Sequence, residues 1–178
     1  MHQKAVFPGS FDPITLGHKD IVERATRIFE KVYVAIGKNT TKTTMLPFES
    51  RLEIVSKVFS DMPNVEVLTY EKLTVNLCEK LGASYIVRGL RSGTDFDYER
   101  NIALINTKLN PKIETMFFIS NPEYAGISST IIKEVYKFGG DVSSFVPKEV
   151  VDFFKKEEIS NTKSASYNNY GFFLNIKE

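Results

Sequence analysis

A single cysteine, Cys78, among 178 residues excludes an internal disulfide, and no group of His, Cys and carboxylate residues has zinc-site spacing. No apolar run approaches the roughly 20 residues needed to cross a bilayer. The N-terminus shows no charged-then-apolar leader pattern, so a cytoplasmic protein without membrane contact is expected. Neither sign of charge dominates, since 23 Lys and Arg stand against 22 acidic residues. Without a global field, diffuse binding to nucleic acid is not expected, and any anion site has to be built locally. Two nucleotide signatures are also missing: there is no Gly-x-x-x-x-Gly-Lys-Ser/Thr loop and no Gly-x-Gly-x-x-Gly turn. Cys78 lies beside Leu77 and Leu81 in a helical pattern and reads as a buried thiol.

What is present is a regular alternation of β-branched apolar segments with helical ones. Strands are predicted at Lys4 to Phe7, Lys31 to Ile36, Val65 to Thr69, Tyr85 to Val87 and Glu114 to Ile119. Helices are predicted near residues 17 to 30, 48 to 60, 74 to 81 and 96 to 109, then from Ser129 to Phe138 and after Pro147. Thr15 is the expected N-cap of the first helix, whose stripe is Ile21, Val22, Ala25, Ile28 and Phe29. This order predicts an α/β fold: a Rossmann-like, doubly wound, five-stranded parallel sheet with C-terminal helices. Residues 1 to 158 form one expected domain, and residues 159 to 178, rich in Asn, Ser and Tyr, form an expected mobile extension.

Ligands of such sheets bind at the carboxyl ends of the strands, and polar or basic residues follow every predicted strand. The first strand runs into Gly9-Ser10-Phe11-Asp12-Pro13-Ile14-Thr15-Leu16-Gly17-His18. There a glycine turn brings free helix amides toward an anion, with His18 in the first helical turn. The helix dipole favours a neutral imidazole there unless a phosphate compensates. Lys42 follows the second strand, Thr74 the third, Arg88 and Arg91 the fourth, and Ser128 and Ser129 the fifth. The two arginines suit bidentate capture of phosphate, or ion pairs with Asp95, Asp97 and Glu99. Ser128 or Ser129 suits a helix cap, and a capped helix start is itself an anion site.

The segment from Ser10 to His18 resembles the Thr/His-x-Gly-His signature of the nucleotidyltransferase superfamily. With Arg88-Gly89-Leu90-Arg91, Asp95-Phe96-Asp97-Tyr98-Glu99 and Ile127-Ser128-Ser129-Thr130, the chain resembles the phosphopantetheine adenylyltransferase family from about residue 3 to about residue 158. The resemblance implies transfer of the adenylyl group of ATP to 4′-phosphopantetheine, giving dephospho-coenzyme A and pyrophosphate without a covalent intermediate. It implies catalytic roles for His18, Lys42 and Arg91, and acceptor contacts at Ser10, Lys42, Thr74 and Arg88. It assigns ATP contacts to Ser10, Phe11, His18, Gly89, Leu90, Arg91 and Glu99, and to Tyr124, Ala125, Gly126, Ile127, Ser128, Ser129 and Thr130. Asn106 is a further weak candidate for a pantetheine amide. Mg2+ is expected to arrive with ATP, held by phosphates and water and not by a protein metal site. A homohexamer and feedback binding of coenzyme A are also implied. The competing readings are a sister enzyme acting on nicotinate mononucleotide or glycerol phosphate, and a nucleotide-binding sensor without catalysis.

Overall fold

The computed structural model describes residues 3–38 and 43–170, with side chains described through residue 159. Five strands lie among these residues, β1 (Lys4–Gly9), β2 (Lys31–Gly37), β3 (Val65–Tyr70), β4 (Tyr85–Leu90) and β5 (Glu114–Ile119). Among the described residues six helices accompany them: α1 (Leu16–Ala25), α2 (Phe48–Val58), α3 (Thr74–Leu81), α4 (Gly93–Leu109), α5 (Ser129–Lys137) and α6 (Lys148–Tyr170). A 3-10 turn, Pro122–Tyr124, lies between β5 and α5. All strand pairs are parallel, in the order β3-β2-β1-β4-β5.

Alternation along the strands divides the core between the two faces of the sheet. Ala5, Phe7, Val32, Val34, Ile36 and Val87 point to one side, where Ile21 and Val22 of α1, Ile54 and Val55 of α2, Ile132 of α5 and Val150 of α6 cover them. Val6, Tyr33, Ala35 and Ile86 point to the other side, against Val75, Leu77 and Cys78 of α3. Helices on both faces of a parallel sheet make the doubly wound fold that the sequence order implied. Cys78 is fully buried, and burial pushes its thiol up to about 12.

Two local features differ from the expectation. Helix α1 ends at Ala25 and not near residue 30, because the backbone closes there with the Thr26 amide donating to the Val22 and Arg24 carbonyls. Ile28 consequently leaves the apolar stripe and is exposed, while Phe29 stays in the core from a turn. Strand β4 continues through Arg88, Gly89 and Leu90, which pair with Phe117, Phe118 and Ile119 of β5, so the first residues of the arginine motif are strand and not loop. Helix α6 runs unbroken across residue 158 to Tyr170. His2, Lys42, Phe172, Phe173 and Leu174 lie outside the described residues. Among the described residues no helix is long and apolar enough to cross a membrane.

The order of strands fixes where a ligand can enter. The chain winds outward from β1 to β3 and then returns to place β4 on the other side of β1, so the direction of winding reverses between β1 and β4. Pairing between these two strands is confined to Ala5 with Tyr85 and Val6 with Ile86. Beyond that point β1 stays with β2 and β4 stays with β5, and the gap between them opens as a crevice.

Candidate active site

A cavity of about 290 Å³ occupies this crevice. Its wall is built by the end of β1 and the turn after it (Gly9, Ser10, Phe11, His18), by β4 and the start of α4 (Arg88, Gly89, Arg91, Asp95, Glu99), and by the segment from Ser120 through Tyr124 to Ile127, Ser128, Ser129 and Thr130. Three of the five strand ends therefore supply its wall among the described residues. Thr74, after β3, does not line it. That residue opens α3 with Leu73 as the N-cap, and its Oγ1 lies 3.2 Å from the Tyr70 hydroxyl. Leu90, Ala125, Gly126 and Asn106 also lie off the cavity wall. Lys42 falls outside the described residues, but the chain is pinned shortly afterwards, where Met45 and Leu46 bond to Asp12.

The turn after β1 is held from three sides. Asp12 is buried at 3 % exposure; its Oδ1 accepts from the Leu46 amide at 2.8 Å, and its Oδ2 from the Met45 amide at 3.0 Å and Lys133 Nζ at 3.1 Å. A carboxylate inside the protein is stable only with such a set of donors. Ser129 Oγ donates to the Pro13 carbonyl at 2.8 Å, which ties the start of α5 to the same turn. Phe11 has φ +46°, a region that costs a side-chain-bearing residue on the order of 1–2 kcal/mol. The ring is nonetheless buried, edge-on to Phe7 and His18, and lies so close over Gly9 that a Cβ there would come within 2.8 Å of it. Gly89 has a similar purpose, since a Cβ on it would overlap Ile21 of α1.

His18 is the third residue of α1, and a capping box fixes its ring. Its backbone amide donates to Thr15 Oγ1 at 3.3 Å, and its Nδ1 accepts from the Thr15 amide at 3.1 Å. Because a backbone amide can only donate, Nδ1 carries no proton and a neutral ring carries it on Nε2. Burial, then the charges of Arg91 and Arg88, lower the imidazole from 6.5 to about 4. The side chain is thus a neutral Nε2–H donor beside the cavity, and both arginines are near enough to act on it. This tautomer was not legible beforehand, because Glu or Gln is the usual partner in a capping box.

Both arginines are held by carboxylates. Arg88 donates from Nε to Glu99 Oε2 at 2.7 Å, from Nη2 to Glu99 Oε1 at 2.5 Å, and from Nη1 to the Pro8 carbonyl at 2.6 Å. The last bond bridges the gap where β1 and β4 part. Arg91 forks onto Asp95 at 2.8 and 3.1 Å and reaches the Ile127 carbonyl at 3.5 Å. Arg91 holds the Asp95 carboxyl below the usual carboxylate range. Each guanidinium has five N–H groups, so two on each have no partner among the described residues. The Ser128 side chain caps α5 by accepting from the Ile131 amide at 3.2 Å. Sequence reading missed the structural weight of Asp12 and Lys133, and that of Arg51, whose Nη1 donates to the Ser10 carbonyl at 2.6 Å. The signal for Asp12 was a carboxylate set between the apolar residues Phe11 and Pro13.

The cytidylyltransferase-like family model matches residues 6–135. Among curated relatives, the phosphopantetheine adenylyltransferase of Lactobacillus gasseri is 51 % identical over 148 residues, covering 83 % of this chain and 89 % of the relative. That of Leuconostoc citreum is 48 % identical over 153 residues, covering 85 % and 96 %. The enzyme of Lachnoclostridium phytofermentans is 43 % identical over 146 residues, covering 82 % and 90 %. A solved chain from Vibrio parahaemolyticus, provisionally named a nicotinate-nucleotide adenylyltransferase, superposes with a TM-score of 0.63 at 24 % identity, over 84 % of this chain and 96 % of that one. At that identity the likeness is one of fold alone. On the extent of identity to its curated relatives, this chain belongs to the phosphopantetheine adenylyltransferase family.

Proposed function

We propose that this protein transfers the adenylyl group of ATP to 4′-phosphopantetheine, in the cytoplasm, as a step of coenzyme A biosynthesis. An oxygen of the acceptor phosphate attacks the α-phosphorus in line. The bond from that phosphorus to the bridging oxygen of the β-phosphate breaks, dephospho-coenzyme A forms and pyrophosphate leaves. Charge accumulates on the oxygens around phosphorus, so the barrier falls when donors already point there. The observation that carries this reading is His18 itself, a neutral Nε2–H donor at the head of α1 on a cavity shared with Arg88, Arg91 and the capped start of α5.

In this reading His18 donates to an α-phosphate oxygen and Arg91 and Lys42 neutralise the crowded centre. Ser10 and Arg88 seat the acceptor phosphate, with Thr74 at the acceptor's far end. Glu99 meets ATP while keeping Arg88 extended, and the segment from Tyr124 to Thr130 receives the β- and γ-phosphates at the start of α5. Mg2+ enters as Mg–ATP. The carboxylates on the cavity wall, Asp95 and Glu99, are both occupied by arginines, which fits an ion held by phosphates and water. Feedback binding of coenzyme A would use the same acceptor contacts.

A homohexamer is proposed on the family relation. It is supported by α4, on which Glu99 is buried but Tyr98, Leu104, Ile105 and Leu109 are exposed, as is Ile119 at 76 % on β5. The deciding experiment is pyrophosphate release from Mg–ATP with each acceptor. Release is expected with 4′-phosphopantetheine and not with nicotinate mononucleotide or glycerol phosphate. Release with one of the latter would identify a sister activity, and ATP binding without release for any acceptor would identify a sensor.

A further inference from the structure

Arg51 of α2 is 4 % exposed, yet no carboxylate pairs with it among the described residues. Its Nη1 donates to the Ser10 carbonyl at 2.6 Å, its guanidinium lies 5.2 Å from the centre of the Phe48 ring, and its Nε is buried with no hydrogen-bond partner. Leaving a buried donor unused and a cation unpaired is costly, and an apolar side chain at this place on the helix would avoid both. The bond to Ser10 is therefore the feature that singles out arginine.

The Ser10–Phe11 peptide is trans, so its carbonyl and its amide point in opposite directions. With the carbonyl turned to Arg51, the Phe11 N–H is turned away from α2. Arg51 does not line the cavity, whereas Ser10 and Phe11 do. Among the described residues the Phe11 amide has no acceptor. Phe11, on the amide side of this peptide, is the residue with φ +46°. We propose that Arg51 is a positioning residue that locks the Ser10–Phe11 peptide so that the Phe11 amide faces the cavity as a donor for a nucleotide phosphate. The arginine touches no substrate and acts through the peptide. Its planar fork fixes the direction of the carbonyl, which a lysine, as a freely rotating point charge, does not.

The kinetic part of the test rests on the proposed adenylyl transfer; the binding part does not. The full chain, labelled with 15N at phenylalanine and 13C at the serine carbonyl to pick out Ser–Phe pairs, is titrated with Mg–ATP. In the wild type the Phe11 amide proton moves downfield. In Arg51→Met that response is expected to fall by at least half, with kcat down about 30-fold and the KM for ATP changed less than about threefold, a smaller loss than deleting a donor outright. Arg51→Lys is expected to lie between the two. Should Arg51→Met show no cooperative melting, Arg51→Lys decides by the same readouts. A folded variant with the wild-type amide response and turnover within twofold overturns the proposal, as does a wild-type Phe11 amide that ignores ATP. A wild-type amide response that is lost in Arg51→Met, without pyrophosphate release for any acceptor, would sink adenylyl transfer and leave the role of Arg51 standing.

Discussion

In the turn after β1, the buried charges are committed to the protein: Asp12 to Met45, Leu46 and Lys133, and Arg51 to Ser10. After β4, the charges face the cavity and are only parked there, with Arg88 on Glu99 and Arg91 on Asp95. The first region offers fixed dipoles, the Nε2–H of His18 and backbone amides, which need no rearrangement when a phosphate arrives. The second holds its cations by ion pairs, with which an incoming anion would have to compete. Fixed donors suit a transition state whose geometry is known in advance, whereas exchangeable ion pairs suit substrates that must bind and leave.

Removing the fixed donor is the severest way to break this contrast. His18→Ala is expected to lower kcat by about a thousandfold while the ATP dissociation constant stays within about threefold, as read by pyrophosphate release and calorimetry. An unchanged turnover number would take His18 out of the chemistry. Asp12→Ala attacks the frame of the same region. It leaves two amides and a lysine without their acceptor, and a loss of about 3 kcal/mol in denaturant unfolding is expected. A loss below about 1 kcal/mol would mean that water satisfies all three.

Acid probes the first region more gently. The unfolded chain takes up a proton on His18 near 6.5 that the folded chain refuses until about 4, so stability falls as pH drops through that window. His18→Gln should flatten this part of the stability curve. An unchanged slope would show that the folded imidazole titrates normally. The smallest effect belongs to the second region. Asp95→Asn unpairs an Arg91 that water already reaches, so stability is expected to change by less than about 1 kcal/mol, while the KM for ATP shifts measurably. A large loss of stability there would erase the distinction between the two regions.

Much of this was legible along the chain. All five strands announce themselves by apolar runs, rich in Val and Ile in β2 and carried by Met116, Phe117 and Phe118 in β5, and residues Gly9 to His18 announce a strand end, a turn and a helix start by residue type alone. Ends of elements were less readable. Leu90 follows a glycine and precedes an arginine, and only its pairing with Ile119 keeps it in β4. Ile28 has helical spacing, but the backbone has already closed at Thr26. Arg51 sits in an amphipathic helix where an arginine ordinarily reads as solvated. Its burial depends on Ser10, 41 residues earlier, and no local pattern carries that information. The ion pairs of Arg88 and Arg91 were foreseeable as an alternative to phosphate capture. The structure shows those ion pairs, with Glu99 and Asp95 as the partners.

The Asp12 contacts span 33, 34 and 121 residues of chain, so the framework of the site includes the last of them only once α5 has docked. During synthesis on the ribosome, a nascent polypeptide that has not yet exposed Lys133 cannot complete that framework, however well its first strands have paired. The geometry of the turn after β1 is therefore a property of the nearly finished chain and not of its first half.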